Sequence, residues 1–288
     1  MIVDRYYLAK RLSVKGLTTF QPDLLFGFAM PTAIAGFAHK LQLDFNSSTG
    51  RAIKVVGTAM IVHDYRVLEG QAKLPPPKTD LKPAALVFDL RADARISFIF
   101  SVDADGNDIA LDDFEIFLDK ALLGANFGGG KIFPMSEKSV VAVEELGDLQ
   151  NKVDSGYILL DRAEVLEDYM KSPGVDGLDA ILDIAELVRQ NPGAPKDEEK
   201  VYTRRLRGWL VGISVGYQAI NEPVLRDGTR ISDGVTKHVY AESIYSIGEY
   251  QSVTSAFRSE ENLIAERAFW RHCHDQQTHT FFVSATNH

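Results

Sequence analysis

Apolar residues between positions 24 and 45 recur with the spacing of an amphipathic helix. One buried face, at i, i+3, i+4 and i+7 spacing, is formed by Ile34, Phe37, Ala38, Leu41 and Phe45. Pro31 suits the first helical turn, where its missing N–H has no hydrogen bond to lose. The pattern therefore predicts a helix over residues 31–45. Gly36 lies inside this helix, where alanine is favoured by roughly 1 kcal/mol, and we expect another backbone to approach the helix there.

Runs of β-branched and alternating apolar residues flank this helix and predict strands. These runs cover residues 5–19, 53–62, 84–90, 95–102 and 139–143. A second helix, which ends at Gly124, is predicted from the apolar positions Leu111, Phe114, Phe117, Leu118 and Ala121. The resulting order, β-α-β-β-α-β, is typical of ferredoxin-like and RNA-recognition-type domains. We therefore predict the α+β class, with such a domain over residues 1–150.

Residues 63–83 interrupt this domain with a polar stretch that contains four prolines. Three of them are consecutive, at positions 75–77, and the fourth is Pro83. Consecutive prolines cannot donate the ladder hydrogen bonds of a sheet. The stretch is therefore predicted to be a protruding loop or hairpin tip.

Beyond residue 150 the pattern changes to acidic amphipathic helices. Two are predicted, over residues 161–170 and 177–189, followed by a linker at 191–200, and together they define an acidic helical region, 151–200. Residues 201–288 are predicted to be a C-terminal β-rich segment that packs back on the first domain. Its predicted elements are a strand over 208–217, a helix over 259–274 and a strand over 278–284.

Composition narrows the class of protein. The chain has 288 residues, of which 45% are hydrophobic and 25% charged, as in globular proteins. No apolar run has the length of a membrane span, and the N-terminus lacks the layout of a signal peptide. Cys273 is the one cysteine, so an intrachain disulfide is excluded. These features predict a cytoplasmic protein without a membrane partner.

The net charge of −9 is unevenly distributed along the chain. Residues 101–200 contain 23 acidic and 9 basic residues, whereas residues 1–60 contain 7 basic and 3 acidic residues. A local basic groove on the N-terminal part is therefore compatible with the negative total. The acidic segment is expected to be a solvated or protein-facing surface.

Two short motifs invite a ligand interpretation. DADGND, at residues 103–108, lacks the glycine and glutamate positions of an EF-hand, so a turn is favoured over a calcium loop. FGGGK, at residues 127–131, lacks the spacing of a nucleotide-binding P-loop and follows a helix, which argues against an NTPase. Two interpretations of FGGGK stay open: a loop that touches RNA through its backbone, and a plain helix-to-strand connection.

Histidines supply the densest group of metal-ligand side chains, which consists of His272, Cys273, His274 and His279. On the predicted helix, His272 and His274 point in different directions, so we expect no metal site and no cofactor. His39 has no paired base or nucleophile in view and is expected to be structural. No hydrolase, zincin or paired-carboxylate signature is present.

The N-terminal stretch interleaves cations with aromatic residues. The cations are Arg5, Lys10, Arg11 and Lys15, and the aromatics are Tyr6, Tyr7 and Phe20. This combination suits phosphate contact with base stacking. A solvated strand face with its aromatics in the core explains the pattern equally well, and composition leaves both open.

FGFAMPTAIAGFAH, at residues 26–39, resembles the W-G-F-x-x-P-x-A-x-x-G-F-x-H signature of the second Csy subunit, the handle-binding member of the subtype I-F CRISPR surveillance complex (Cascade). Further matches follow in order at residues 129–134, 208–211, 216–217 and 247–250. The resemblance spans nearly the whole chain. Its motif residues are Phe26, Gly27, Phe28, Pro31, Gly36, Phe37, His39, Gly208, Trp209, Gly216 and Tyr217.

This resemblance implies a non-catalytic, cofactor-free protein of the repeat-associated RNA-binding superfamily, built on a ferredoxin-like domain with a glycine-rich loop. Such subunits bind the 5′ handle of CRISPR RNA, cap the backbone of the complex, and meet the large subunit near the protospacer-adjacent motif (PAM) of target double-stranded DNA. The expected RNA contacts are Arg11, Lys15, Gly128, Gly129, Gly130, Lys131, Arg204, Arg205 and Arg207. The chain departs from the family at Lys15-Gly16-Leu17-Thr18, where Q-N-A-N is usual, and at Phe26, which replaces tryptophan.

Three alternatives accompany this hypothesis. In compact systems without a large subunit, a protein of this kind would read the PAM itself. A metal-independent CRISPR RNA endonuclease would need a general acid or base, for which His39, Tyr6 and Lys10 are the candidates. A stand-alone interaction module would instead use the acidic helices to bind protein.

Overall fold

The chain has an α+β architecture built on one large antiparallel sheet. A computed structural model describes residues 3–19, 25, 27–28, 30–68, 90–190, 201–226, 233–259 and 262–286. The helices are α1 (Pro31–Thr49), α2 (Asp108–Ala121), α3 (Ala163–Met170), α4 (Gly177–Ala185), α5 (Val253–Phe257) and α6 (Leu263–Arg267), with a 3₁₀ turn at Leu146–Leu149. The first seven strands are β1 (Arg5–Thr18), β2 (Lys54–Leu68), β3 (Arg91–Asp103), β4 (Asn126–Phe127), β5 (Gly130–Pro134), β6 (Val140–Val143) and β7 (Tyr157–Asp161). The remaining strands are β8 (Leu187–Arg189), β9 (Tyr202–Arg204), β10 (Leu210–Ala219), β11 (Ala241–Ser252), β12 (Arg271–Asp275) and β13 (Thr280–Ser284).

The strand order of the large sheet is β12-β13-β10-β11-β7-β2-β3-β1-β5-β4, with β6 also paired to β1. Each pairing along this order is antiparallel. β8 and β9 form a separate two-stranded sheet. The N-terminal strands and the C-terminal strands therefore share one continuous sheet, joined through β7.

Helices α1 and α2 cover one face of the N-terminal strands. The side chains of α1 that reach the core include the predicted positions Ile34, Phe37, Ala38, Leu41 and Phe45. They pack against the alternate apolar residues of β1 and β3, among them Leu12, Val14, Ile96, Phe98 and Phe100. Gly50 ends α1 in the left-handed conformation, with φ 68°, which a glycine adopts without strain.

The opposite face of the sheet is covered over only part of its area. A second apolar cluster joins Leu8, Ile61, Ile99, Ile158 and Leu160 to the short helices α5 and α6. Toward the ends of β1, β3 and β5 the outward side chains become polar and exposed. This uncovered part of the sheet carries the candidate site.

Asp161, at the end of β7, ties the C-terminal strand to the middle of the sheet. Its carboxylate is buried and accepts hydrogen bonds from the Ser284 hydroxyl at 3.0 Å and the Ala285 N–H at 2.9 Å. The Ala163 N–H donates to its other oxygen at 3.1 Å. The end of β13 is therefore fixed to the sheet by hydrogen bonds to a buried carboxyl group as well as by strand pairing.

Several sequence predictions need correction. The helix predicted over 259–274 is wrong, because α6 ends at Arg267 and β12 contains His272 and His274. The helix predicted over 177–189 ends at Ala185 and gives way to β8. Residues 63–68 belong to β2 rather than to a loop, and the rest of the predicted loop lies outside the described residues.

Other elements were missed or misplaced in extent. β11 and the hairpin of β4 and β5 were not predicted, and α1 runs four residues further than expected, to Thr49. The linker at 191–200 and all of the strand predicted over 84–90 except its last residue lie outside the described residues. In the part of the chain that the structure describes, no helix is long and apolar enough to cross a membrane.

Candidate nucleic-acid interface

The outward side chains of β5, β1, β3 and β2 form a polar surface that we call the open face, made of Arg11, Ser13, Lys15, Asp64, Arg66, Asp93, Arg95, Lys131 and Phe133. Strand periodicity places them there, because Leu12 and Val14 on β1, and Ala94 and Ile96 on β3, point into the helix-covered core. All nine are at least partly exposed. The face is therefore a continuous surface across four strands.

One row of the open face is strongly charged. Lys15 on β1 is the cross-strand partner of Lys131 on β5, and Arg66 on β2 is the partner of Asp93 on β3. The Lys15 ammonium donates to Asp93 at 2.9 Å, which lowers the pKa of that carboxyl below its usual value. The Gly16 N–H and the charge of Arg66 act in the same direction. The row thus holds three cations around one firmly ionised carboxylate.

The next row adds an aromatic side chain. Phe133 on β5 pairs with Ser13 on β1, and Ser13 pairs in turn with Arg95 on β3. Phe133 is 48% exposed although it is a large apolar residue. An exposed ring beside cations is the combination that stacks a base while the cations contact phosphates.

Arg11 lies at the edge of the open face, in a bulge of β1. The register of β1 against β3 shifts between Ala9 and Leu12, and Arg11 has φ 58°. Its carbonyl accepts from the Met135 N–H at 2.9 Å, and its guanidinium Nε donates to Asp154 at 3.2 Å. A pocket of about 380 Å³ beside it is lined by Arg11, His63, Arg95, Met135, Asp154 and Ser155.

The glycines of FGGGK form a tight hairpin. Gly128 and Gly129 connect β4 to β5, and both have positive φ, 52° and 80°, as a type I′ turn requires. A Cβ on Gly130 would lie 2.8 Å from the Lys15 carbonyl oxygen and 2.9 Å from the Leu17 nitrogen. The glycines therefore let this hairpin pack against β1. Their positions are explained by a strand connection, and RNA contact through their backbone stays a prediction.

Arg204, Arg205 and Arg207 lie elsewhere. Arg205 is paired with Asp183 at 3.6 Å and Glu186 at 2.7 Å, so its charge is directed at the acidic helix α4 and the residue after it. Arg204 donates to the Leu210 carbonyl at 2.7 Å, and Arg207 is exposed. The structure thus brings Arg11, Lys15 and Lys131 onto one surface and leaves these three arginines on another.

The N-terminal aromatics belong to the interior rather than to the open face. Tyr7 is fully buried and its hydroxyl donates to the Leu111 carbonyl at 2.8 Å. Tyr6 packs against Phe269, with 5.9 Å between ring centroids. Arg5 is paired with Asp112 on α2. Of the interleaved pattern, only Arg11 and Lys15 reach the open face, and Phe20 lies outside the described residues.

The motif residues have distinct positions. Pro31 begins α1 as predicted, and Phe28 and Phe37 are buried. Gly36 is exposed and a Cβ there would contact nothing within 4 Å, so the expectation that a backbone approaches it is wrong. Gly216 does have such a role, because a Cβ there would collide with the backbone of β13. Phe26 lies outside the described residues.

Four motif residues lie near the C-terminal strands or the helix-covered face. Gly208 has φ 100°, and a Cβ there would collide with the Glu249 carboxylate. Tyr217 on β10 is 41% exposed. Gly27 and Trp209 line a common pocket of about 220 Å³. Residues distant in sequence therefore converge at that pocket.

His39 and His272 face one another across a pocket of about 300 Å³ between α1, β2 and β12, with ring centroids 5.8 Å apart. Burial, and then the neighbouring His39, lowers the pKa of His272 below its usual value. Neither ring is paired with a nucleophile among the described residues. Within the same residues, no group of three or more His, Cys, Asp or Glu side chains is placed to hold a metal ion.

Sequence reasoning missed Arg66, Arg95 and Phe133 as members of the open face. The alternation along β3, in which Asp93 and Arg95 alternate with Ala94 and Ile96, was available as a signal. Arg66 was missed because residues 63–83 were predicted to be a loop, so no strand face was assigned to it. Phe133 occurs in a matched motif, but only the register of β5 against β1 shows that it points outward.

Comparisons with known proteins agree on one relationship. The family model described as "CRISPR-associated protein (Cas_Csy2)" matches residues 8–283. The chain is 25% identical over 286 residues to the "CRISPR-associated protein Csy2" of Pseudomonas aeruginosa (strain UCBPP-PA14), an alignment that covers 85% of this chain and 86% of that protein. The match thus extends from β1 to β13.

Proposed function

This chain belongs to the Cas_Csy2 family of CRISPR-associated proteins, and on that basis we propose that it is a non-catalytic subunit of a type I-F CRISPR RNA-guided surveillance complex. In this proposal it binds the 5′ handle of CRISPR RNA and caps the backbone of the complex near its PAM-recognition end. It acts in antiviral defence as part of a cytoplasmic ribonucleoprotein. Backbone and large subunits and target double-stranded DNA near the PAM are its partners.

The observation that supports RNA binding is the open face. Its five cations, Arg11, Lys15, Arg66, Arg95 and Lys131, outnumber its carboxylates, although the whole chain has a net charge of −9. Phosphate contacts from such side chains position a strand without reading its sequence. The exposed Phe133 adds a ring on which a base can stack. The handle is therefore expected to cross β5, β1 and β3.

A ferredoxin-like core over residues 1–150 is part of the same proposal. Its support is the strand order β6-β1-β3-β2, in which all neighbours are antiparallel, with α1 and α2 packed in one core on one face. Residues 151–200 form the acidic helical region, and residues 201–288 extend the sheet. The sheet continues without a break from β2 to β7 and β11, which favours a C-terminal segment packed on the first domain.

The acidic region is proposed to meet a protein partner. On α3 and α4, Glu167 and Asp179 are exposed carboxylates, and Leu182 is a 60% exposed apolar side chain. Arg205 is exposed but already neutralises part of α4, so we propose the exposed Arg207 as the RNA contact of the arginine group. This surface suits the large or PAM-end subunit.

Ultraviolet crosslinking of the assembled complex, followed by mapping of the crosslinked peptides, tests the proposal. We expect RNA adducts on β1 and β5, with Phe133 as the principal aromatic site. Adducts confined to residues 204–207, or to helices α3 and α4, would show that the RNA binds another surface and would refute the open face as the interface.

The alternatives predict different results. A subunit that reads the PAM itself would bind PAM-containing duplex in a complex assembled without a large subunit. For an endonuclease, purified protein would cut repeat RNA in EDTA. The residues named for cleavage do not converge, because His39 faces His272 on the helix-covered side whereas Tyr6 packs against Phe269 on the other face. A stand-alone interaction module predicts purified protein free of RNA.

A further inference from the structure

Five segments that are distant in sequence meet in a pocket lined mainly by aromatic side chains. Its lining residues come from the segment just before α1, from β2, from the beginning of β7, from the segment that leads into β10 together with β10 itself, and from β11. They are Gly27, Phe28, Val62, Tyr65, Tyr157, Trp209, Val211 and Tyr250, and they enclose about 220 Å³. We call this site the aromatic pocket. It is separate from the open face, since Val62 and Tyr65 pack on the helix-covered side of β2.

The rings of the aromatic pocket are arranged mostly edge to face. Trp209 meets Tyr157 at a centroid distance of 5.2 Å with an interplanar angle of 78°, and meets Tyr250 at 5.3 Å and 51°. Phe28 meets Tyr65 at 5.0 Å and 68°. Edge-to-face pairs leave ring faces that are not covered by a parallel neighbour. Trp209 and Tyr157 are also 45% and 47% exposed, which is high for large aromatic side chains at a pocket.

The uncharged, aromatic lining of the pocket limits the kind of ligand that it can bind. No charged side chain lines the aromatic pocket, so a phosphate group has no counter-charge there. A flat, neutral ring system gains stacking energy from several aromatic walls. Almost all of the surface that the lining presents to the pocket is apolar, so a ligand would be held by the ring faces and edges rather than by polar atoms.

We propose that the aromatic pocket receives one unstacked nucleobase of the RNA that the open face holds. This inference rests on the proposed RNA-binding function and adds a second, base-holding site to it. The geometry connects the two sites, because Tyr65 in the pocket is followed by Arg66 on the open face. A strand that passes the end of β2 therefore meets a cation for its phosphate and, on the other side, aromatic rings for a base.

The test is a double-mutant cycle that combines a substitution of Trp209 in the protein with removal of one base from the RNA. Single-stranded repeat RNA with one abasic nucleotide, moved along the sequence, is titrated against the subunits of the complex after removal of their CRISPR RNA, with either the wild-type chain or its Trp209→Leu variant. At one position the abasic change is expected to weaken wild-type binding roughly 5- to 150-fold, the range that loss of one stacked base produces. At that position the abasic change and Trp209→Leu together should weaken binding no more than either alone.

Two controls make the result specific. Trp209→Phe keeps an aromatic wall and should retain most of the affinity, and Trp270→Phe changes the buried tryptophan that lies away from the pocket and should leave the coupling intact. Because stacking releases no counterions, Trp209→Leu should also leave the salt dependence of binding unchanged. Should Trp209→Leu not fold, quenching of wild-type tryptophan fluorescence by RNA, compared with the abasic RNAs, tests the same pocket.

The outcomes separate the two proposals. Additive losses at every abasic position, or equal quenching by all abasic RNAs, would overturn the base-holding site while RNA binding stands. A second contrary outcome is that the Trp209→Leu complex loses a partner subunit while no abasic position is coupled to Trp209. That result would show that the pocket binds a side chain of the partner protein, and it would also overturn the base-holding site. If wild-type complexes bind no RNA, the proposed function fails together with the pocket.

Discussion

Lys15 and Lys131 are cross-strand partners on β1 and β5, so two ammonium groups leave the same face of the sheet side by side. Lys15 donates to Asp93 at 2.9 Å, and Lys131 donates to the Gly124 carbonyl at 3.1 Å. One carboxylate therefore balances two lysines at this point of the open face. A phosphate group between them would supply the missing negative charge.

Charge reversal on the open face should weaken RNA binding and reduce its salt dependence. For Arg11→Glu combined with Lys131→Glu, the slope of log affinity against log salt is expected to fall in magnitude by up to about 1.4, because each lost phosphate contact removes about 0.7. The measurement is a titration of the subunits, freed of their CRISPR RNA, with repeat RNA at several salt concentrations.

The matched control for charge reversal is Lys40→Glu combined with Lys171→Glu, which changes the charge equally on α1 and after α3. We expect its salt slope to stay near that of wild type. Equal salt slopes for both double variants would show that the cations of the open face do not contact the RNA phosphates.

Gly130→Ala should destabilise the fold, whereas Gly36→Ala should not. A Cβ at residue 130 would press on the backbone of Lys15 and Leu17, and overpacking of this kind costs about 1 to 3 kcal/mol. Residue 36 is exposed on a helix with free space around it, so alanine should stabilise by up to about 1 kcal/mol. Urea unfolding of the two variants measures the free energy of unfolding, which should fall for Gly130→Ala and rise for Gly36→Ala. Stabilisation by Gly130→Ala would contradict the packing of the hairpin against β1.

Removal of the Asp161 carboxylate should loosen the C-terminal strand. Asp161→Ala leaves the buried Ala285 N–H without its acceptor, removes the bond from the Ser284 hydroxyl to β7, and is expected to cost about 1 to 3 kcal/mol. Asp161→Asn keeps one acceptor oxygen and should lose less. Hydrogen exchange should show faster exchange in β13 than in β3 for the alanine variant, and uniform protection of both strands would contradict this role.

Stability should fall in mild acid because of His272. Its folded-state pKa lies below the ordinary 6.5, since burial and then His39 disfavour the charged ring. The unfolded chain therefore binds more protons between the two pKa values, so this stabilisation is complete above pH 6.5 and is lost as the pH falls toward the folded-state pKa.

Melting temperatures measured between pH 7.5 and 5 check the histidine contribution. His272→Gln should flatten part of the decline, whereas His274→Gln, on the same strand, serves as the control and should leave it unchanged. A steeper decline in the His272 variant would mean that the ring is stabilised by protonation, contrary to the packing around it.

Local sequence pattern was sufficient for elements whose core face is fixed by periodicity. The spacing of Ile34, Phe37 and Leu41 predicted α1, and the alternation from Ile96 to Val102 predicted β3, because burial of one face determines both. The α+β class followed from the order of these elements. Family membership followed from motifs that no single periodicity argument would supply.

Elements that depend on long-range pairing were not predictable. β12 is stabilised by its partner β13, and the short segment from Arg271 to Asp275 reads equally well as the end of a helix. The open face needed the register between strands, since only pairing places Arg95 beside Ser13 and Phe133. The aromatic pocket needed the folded chain, because Phe28, Trp209 and Tyr250 are far apart in sequence.

The central claim is that this chain grips CRISPR RNA within a multisubunit complex. The most direct measurement is co-expression with its genomic neighbours and a CRISPR array, isolation through a tag on this chain, and sequencing of the RNA recovered. We predict an intact CRISPR RNA of defined length together with a repeated backbone subunit, and loss of that RNA from the Arg11→Glu, Lys131→Glu variant. Recovery of the wild-type chain alone and free of RNA would contradict the account and favour the acidic interaction module.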